Sequence, residues 1–143
     1  MKKVFVDTNI IIDMLGKRIN FYEQSQDFFT YALDNTVEIF VSTLSFANTH
    51  YILSEQMKKP RVRNTLRKFK TLVTVATFDD KILELSLGDE FKDFEDGIQY
   101  FIALENSCEV VVTRNKKDFR NSQIPILSPK EFLSISDVEN ISG

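Results

Sequence analysis

Four short runs of β-branched and aromatic residues punctuate this chain: Val4-Phe5-Val6, Val37-Glu38-Ile39-Phe40-Val41, a run over 72–76, and Val110-Val111-Val112. Each is parted from the next by longer stretches with helical spacing of apolar residues. A run such as Val110-Val111-Val112 is apolar on both faces of the strand it would form, so both faces need cover. Strands alternating with helices meet that demand as a parallel sheet sandwiched between helices, an α/β architecture. Helices are expected over 22–33, from Ser42 or Thr43 to about Gln56, from Pro60 to about Phe69, and from Asp93 to Asn106. Proline suits a first helical turn. A shorter helix carries Ile82, Leu83 and Leu85. Ile124-Pro125-Ile126-Leu127 reads as a fifth strand at an edge, since proline cannot donate to a ladder. Ser128-Pro129 opens a short terminal helix, and the last residues are expected to fray. No linker, repeat or low-complexity stretch divides the chain, so residues 1–143 are read as one domain.

Composition removes whole classes of chemistry. With Cys108 alone there is no internal disulfide and no multi-cysteine metal site, and with His50 alone no two-histidine catalysis. The four glycines form neither a dinucleotide fingerprint nor a P-loop. Asp7 and Asp13 interrupt the apolar stretch an export signal would need, and no span approaches bilayer length. A cytoplasmic location is the expectation. Formal charge is 18 − 21 = −3, so total charge makes no case for nucleic acid.

The position of the acids is more informative than their number. In open parallel sheets, ligands sit beyond the carboxyl ends of strands where the strand order reverses. The segments due there are Asp7-Thr8-Asn9, Ser42-Thr43, Asp79-Asp80 and 113–118, with Asp93 and Asp96 at a helix start and spaced to share one face. Carboxylates crowded into one pocket repel each other, and persist by protonating or by holding a cation. Oxygen ligands select hard ions such as Mg²⁺ or Mn²⁺, whose bound water attacks phosphate esters. A dehalogenase-type phosphatase would need a second acid where Asn9 stands, and a phosphoacceptor receiver an acidic pair where Phe5-Val6 stand.

Three segments carry a resemblance. Val4-Phe5-Val6-Asp7-Thr8-Asn9-Ile10-Ile11-Ile12-Asp13 resembles the opening motif of PIN-domain ribonucleases, Asp93-Phe94-Glu95-Asp96-Gly97-Ile98-Gln99 their third, and Val111-Val112-Thr113-Arg114-Asn115-Lys116-Lys117-Asp118-Phe119 their fourth. The likeness spans about residues 2–130. It implies a PIN-like sheet of order 3-2-1-4-5, a Mg²⁺ or Mn²⁺ site and endonucleolytic cleavage of RNA. For small members it implies a VapC-like toxin, homodimeric and silenced by a small antitoxin protein. By this resemblance Asp7 and Asp96 are catalytic metal ligands, Asp93 a further ligand or water-binding neighbour, and Asp118 the remaining catalytic acid. Asn9, Asn48, Thr113 and Asn115 are substrate-binding. Asn48 stands where the second motif normally has glutamate, and an amide supplies no negative charge. The alternative is therefore a catalytically weakened RNA- or protein-binding module.

Asp13 is assigned a structural role, Asp79-Asp80 a helix start, and Cys108 inert packing. Phe21, Tyr22 and Tyr31 are given to the core in preference to base stacking. Between Lys58 and Lys70 lie seven cations and no acid. That run is either a solvated helix face or a ridge that tracks phosphates.

Overall fold

The computed structural model describes residues 2–88 and 90–142, with residues 137–142 described by backbone alone. Five parallel strands, β1 (Lys3–Val6), β2 (Glu38–Ser42), β3 (Thr74–Ala76), β4 (Val110–Val112) and β5 (Ile126–Leu127), form one sheet in the order 3-2-1-4-5. The register pairs Val4 with Ile39 on one side and with Val110 on the other. Among the described residues seven α-helices connect and flank the strands: α1 (Thr8–Leu15), α2 (Tyr22–Asp34), α3 (Thr43–Leu53), α4 (Lys59–Lys70), α5 (Asp80–Ser86), α6 (Phe94–Glu105) and α7 (Pro129–Ser142).

The pleat sorts the apolar strands between two cores. Val4, Val6, Val110 and Val112 pack with Ile10, Ile11, Phe28, Phe29 and Phe132 of α1, α2 and α7. Phe5 and Val111 point the other way, onto Ile82 of α5 and Ile98, Phe101 and Ile102 of α6. A third cluster, Leu53 with Val62 and Leu66, fastens α4 to α3.

Helix starts follow local chemistry. Asp7, Ser42, Asp79 and Asp93 each accept a backbone N–H of the turn they open. Asp79-Asp80 is a helix start as expected, and Pro60 sits in the first turn of α4. Several elements differ from their sequence-based bounds; α3, expected to reach about Gln56, ends at Leu53, where Ser54 caps it and its hydroxyl donates to the His50 carbonyl. β5 shrinks to two residues because Pro125 precedes it and contributes only its carbonyl, to Val111 N–H at 3.0 Å. β3 is shorter than expected, starting at Thr74. The terminal helix is longer than expected, reaching Ser142, with Phe132 anchoring it against Phe28 and Tyr31. Gly143, where fraying was also expected, lies outside the described residues. Cys108 is buried and its thiol is pushed up to about 12 by that burial, as suits packing. No helix is long and apolar enough to cross a membrane among the described residues.

Candidate active site

β1 lies between β2 and β4, and the chain leaves β1 toward β2 before returning to the other side, so the strand order reverses at the β1/β4 seam. Asp7 and Thr113 are the residues immediately beyond the carboxyl ends of those two strands. The Asp7 N–H donates to Val112 O at 3.0 Å, which anchors its backbone to the neighbouring strand end.

Asp7 is only 8% exposed. Its Oδ1 accepts the Thr8 N–H at 2.8 Å and its Oδ2 accepts the Thr113 hydroxyl at 2.8 Å. The Asn9 side-chain amide donates to Thr113 Oγ1 at 3.3 Å and, more weakly, to Asp7 Oδ2 at 3.4 Å. Thr113 Oγ1 also accepts the Asn115 N–H at 3.1 Å, so its donor and both acceptor positions are occupied. Burial raises the Asp7 pKa, against the lowering effect of Thr113 and Thr8; Asp118 pushes it up further. Among the described residues no cation lies within hydrogen-bond reach of this carboxylate.

Asp96 lies in the first turn of α6 and is half-buried. Desolvation, then repulsion from Asp93, Asp7, Asp118 and Glu95, lifts its pKa from 3.8 to about 7. Asp93 is the N-cap of the same helix, its Oδ1 accepting the Asp96 N–H at 3.0 Å. Asp7, Asn9, Asn48, Asp96 and Asn115 are brought together around one cavity of about 520 Å³. Asp93 and Asp118 are placed instead in an adjoining cavity, with Asp96 on the wall between the two. Thr113 is fully buried behind Asp7.

The sequence assigns no role to Gln99, Ser45, Glu95, Arg18, Tyr51 or Arg114, which the fold brings to this site. Gln99, 3% exposed, donates from Nε2 to Ser45 Oγ at 2.7 Å and Thr8 Oγ1 at 3.0 Å; those two hydroxyls share a 2.7 Å bond. Ser42 extends the chain to Ser45 at 3.1 Å. This network ties α1, α3 and α6 together beneath the cavity. Glu95 joins Asp96 on the cavity wall, and Arg18, Tyr51 and Arg114 complete its rim. Arg114 stacks over Phe21 at 4.0 Å from the ring centroid, so Phe21, expected in the core, instead carries a guanidinium at the surface.

A model of the PIN domain matches residues 3–117. The chain belongs to the PIN-domain family. It is 29% identical over 136 residues to Ribonuclease VapC1 of Aquifex aeolicus (strain VF5), covering 92% of this chain and 93% of that protein. A toxin–antitoxin complex from Klebsiella pneumoniae contains a chain of the same fold, with a TM-score of 0.65 at 24% identity over 88% of this chain and 97% of that one. DNA-bound VapBC from Salmonella typhimurium gives 0.65 at 19%, over 90% and 99%.

The donor set of this PIN domain suits a hydrated hard cation. Asp7 and Asp96 share a cavity with raised pKa values, which a positive ion would bring down. Among the described residues Gln99 Oε1 is a buried acceptor without a partner, able to receive a proton of a cation's water. Among the described residues no three acidic, histidine or cysteine side chains form a ready metal cage. Mg²⁺ does not need one, because it commonly keeps several waters and takes one or two carboxylates.

Proposed function

We propose that this PIN domain is a Mg²⁺- or Mn²⁺-dependent endoribonuclease, acting in the cytoplasm as the toxin of a toxin–antitoxin pair. The observation that carries the reading is the buried, cation-free carboxylate of Asp7 at the strand-order reversal, facing Asp96 across one cavity. The likeness to Ribonuclease VapC1 over nearly the whole chain supports the same substrate class. Toxin–antitoxin complexes among chains of this fold support an antitoxin partner.

Asp7 and Asp96 hold the cation; Asp93 and Asp118 lower the potential from the adjoining cavity. A bound Mg²⁺ or Mn²⁺ supplies a water of lowered pKa and neutralises charge on the phosphodiester. The protein's own contribution is orientation. Thr8 N–H and Thr113 Oγ1–H each fix one oxygen of Asp7, and Asn9 braces Thr113. Asn48 and Asn115 present amides to the phosphate and ribose, neutral donors that add no repulsion.

Asn48 also favours the second reading, a binding module with weakened catalysis, because an amide at this wall leaves the cation site one charge short of the usual motif. Cleavage of single-stranded RNA by antitoxin-free protein, with Mn²⁺ and EDTA arms, decides between them. Mn²⁺-dependent cutting that disappears in Asp96→Asn supports the nuclease. RNA bound but uncut by the unsubstituted protein supports the module, and cutting that survives Asp96→Asn removes the assigned site.

A further inference from the structure

The cavity that holds Asp7 and Asp96 also has a basic end. Asp13, its side chain 1% exposed, accepts Arg114 Nε at 2.7 Å and Nη2 at 3.1 Å. Arg18 reaches the same carboxylate only at 3.9 Å, an ion pair beyond hydrogen-bond range. Two guanidiniums thus face one carboxylate, and only one of them is hydrogen-bonded to it. A purely structural pair would need one arginine per acid. Arg18 is partly exposed, and among the described residues its guanidinium donates no hydrogen bond. Arg114 spends two of its N–H groups on Asp13 and lies against Phe21, so its plane is held before any ligand arrives. Both arginines line the same cavity as the acidic pair.

The basic end is also in fixed register with the acidic one. The Arg114 N–H donates to Asn9 Oδ1 at 3.3 Å, Asn9 Nδ2 donates to Thr113, and Thr113 donates to Asp7. One chain of hydrogen bonds therefore ties the Arg114 backbone to the proposed cation ligand. A planar guanidinium with spare N–H donors matches phosphate oxygens better than any neutral group.

We infer that Arg18 and Arg114 form a phosphate subsite, which binds the backbone phosphate of single-stranded RNA next to the one being cut. The inference rests on the nuclease reading for its substrate and adds the residues that place it. A cavity of about 520 Å³ has room for a nucleotide unit of a single strand. The acidic wall repels phosphates until a cation binds; the basic end gives the strand a foothold that does not depend on the cation.

The test measures binding separately from cleavage. In the Asp96→Asn background, affinity for a short single-stranded RNA is determined over a salt series, with and without Arg18→Gln. Arg18→Gln is expected to weaken binding roughly tenfold and to flatten the log–log salt slope by about 0.7, the value for one phosphate contact on a single strand. An RNA carrying a neutral methylphosphonate at one flanking position is expected to lose the same affinity against the parent, and nothing further against Arg18→Gln. Arg114→Lys keeps a cation for Asp13, protecting the fold, and is expected to weaken binding while leaving the slope unchanged. Unchanged affinity and slope in Arg18→Gln, with RNA still bound, overturns the subsite even if the enzyme cuts RNA. Absence of cutting by the unsubstituted protein, with the tenfold effect intact, overturns the nuclease reading and leaves the subsite standing.

Discussion

Asp7 and Asp13 are both buried carboxylates at the two ends of one short helix, yet their surroundings are opposite. Asp13 is gripped by the Arg114 guanidinium in two hydrogen bonds, with Arg18 beyond it. Asp7 has hydroxyl and N–H donors only, and its pKa is raised by burial. A buried acid with its own cation is finished as a structural element. One without a cation carries an unmet demand for positive charge, and the fold sets it at a cavity where an ion and a phosphate can arrive together. Burial alone does not distinguish the two; the identity of the hydrogen-bond donors does.

The sharpest way to break this contrast is to remove the cation from Asp13. Arg114→Leu leaves a buried charge with only the distant Arg18, and is expected to cost about 3–5 kcal/mol in denaturant unfolding. Asp13→Leu combined with Arg114→Leu is expected to recover much of that loss, because two apolar groups need no compensation. Equal stability of the single and double variants would show that the pair is not what holds this corner.

At the other acid the effect moves from stability to activity. Asp7→Asn is expected to lower Mn²⁺-dependent RNA cleavage by more than about a hundredfold, beyond the loss typical of a group outside the metal's ligands. Unfolding of the metal-free variant is expected at the same or higher denaturant concentration, since a desolvated charge has been removed. A variant that is both unfolded and inactive would erase the distinction between the two aspartates.

The smallest effect is a pH dependence. Asp96 has a folded pKa of about 7 against 3.8 ordinarily, so the folded state binds the extra proton between those values. The slope of stability with pH follows the protons bound by the unfolded state minus those bound by the folded state, and is negative in that window. Metal-free protein is therefore expected to lose stability from about pH 4 to pH 7, by on the order of 1 kcal/mol once solvent screening of this half-buried group is allowed. Asp96→Asn, or saturating Mn²⁺, is expected to flatten the curve. A metal-free stability that rises across this range in the unsubstituted protein, with no change in Asp96→Asn, would contradict the assigned cause.

Much of the site was legible because its signals are local. An aspartate ending an apolar run and followed by helix-start residues announces a strand-to-helix turn at Asp7, and the acids at 93 and 96 announce another helix start. What could not be read was which oxygen is left free. Asp93 has the right spacing to face Asp96, but its Oδ1 is taken by the Asp96 N–H, and its side chain opens on the neighbouring cavity. Asp118 follows it there, while Glu95, given no role, turns onto the main wall. Helical phase and capping decide the outcome for Asp93 and Glu95, where two residues of difference change the cavity. Phe21 was misread because its hydrophobicity suggested the core, whereas it is 36% exposed and supports Arg114.

The sequence by itself determined the alternation of strands and helices, the two-sided burial of the sheet and the helix-start acids, because each depends on residues within a few positions of one another. The resemblance of three ordered motifs extended that to the family. Only the tertiary structure decided that Thr113 would orient Asp7, that Arg114 would neutralise Asp13, and that Gln99 would join Thr8 and Ser45. Those partners stand 106, 101, 91 and 54 residues apart. The energy of a buried charge depends on what the fold places against it, and no local pattern carries that information.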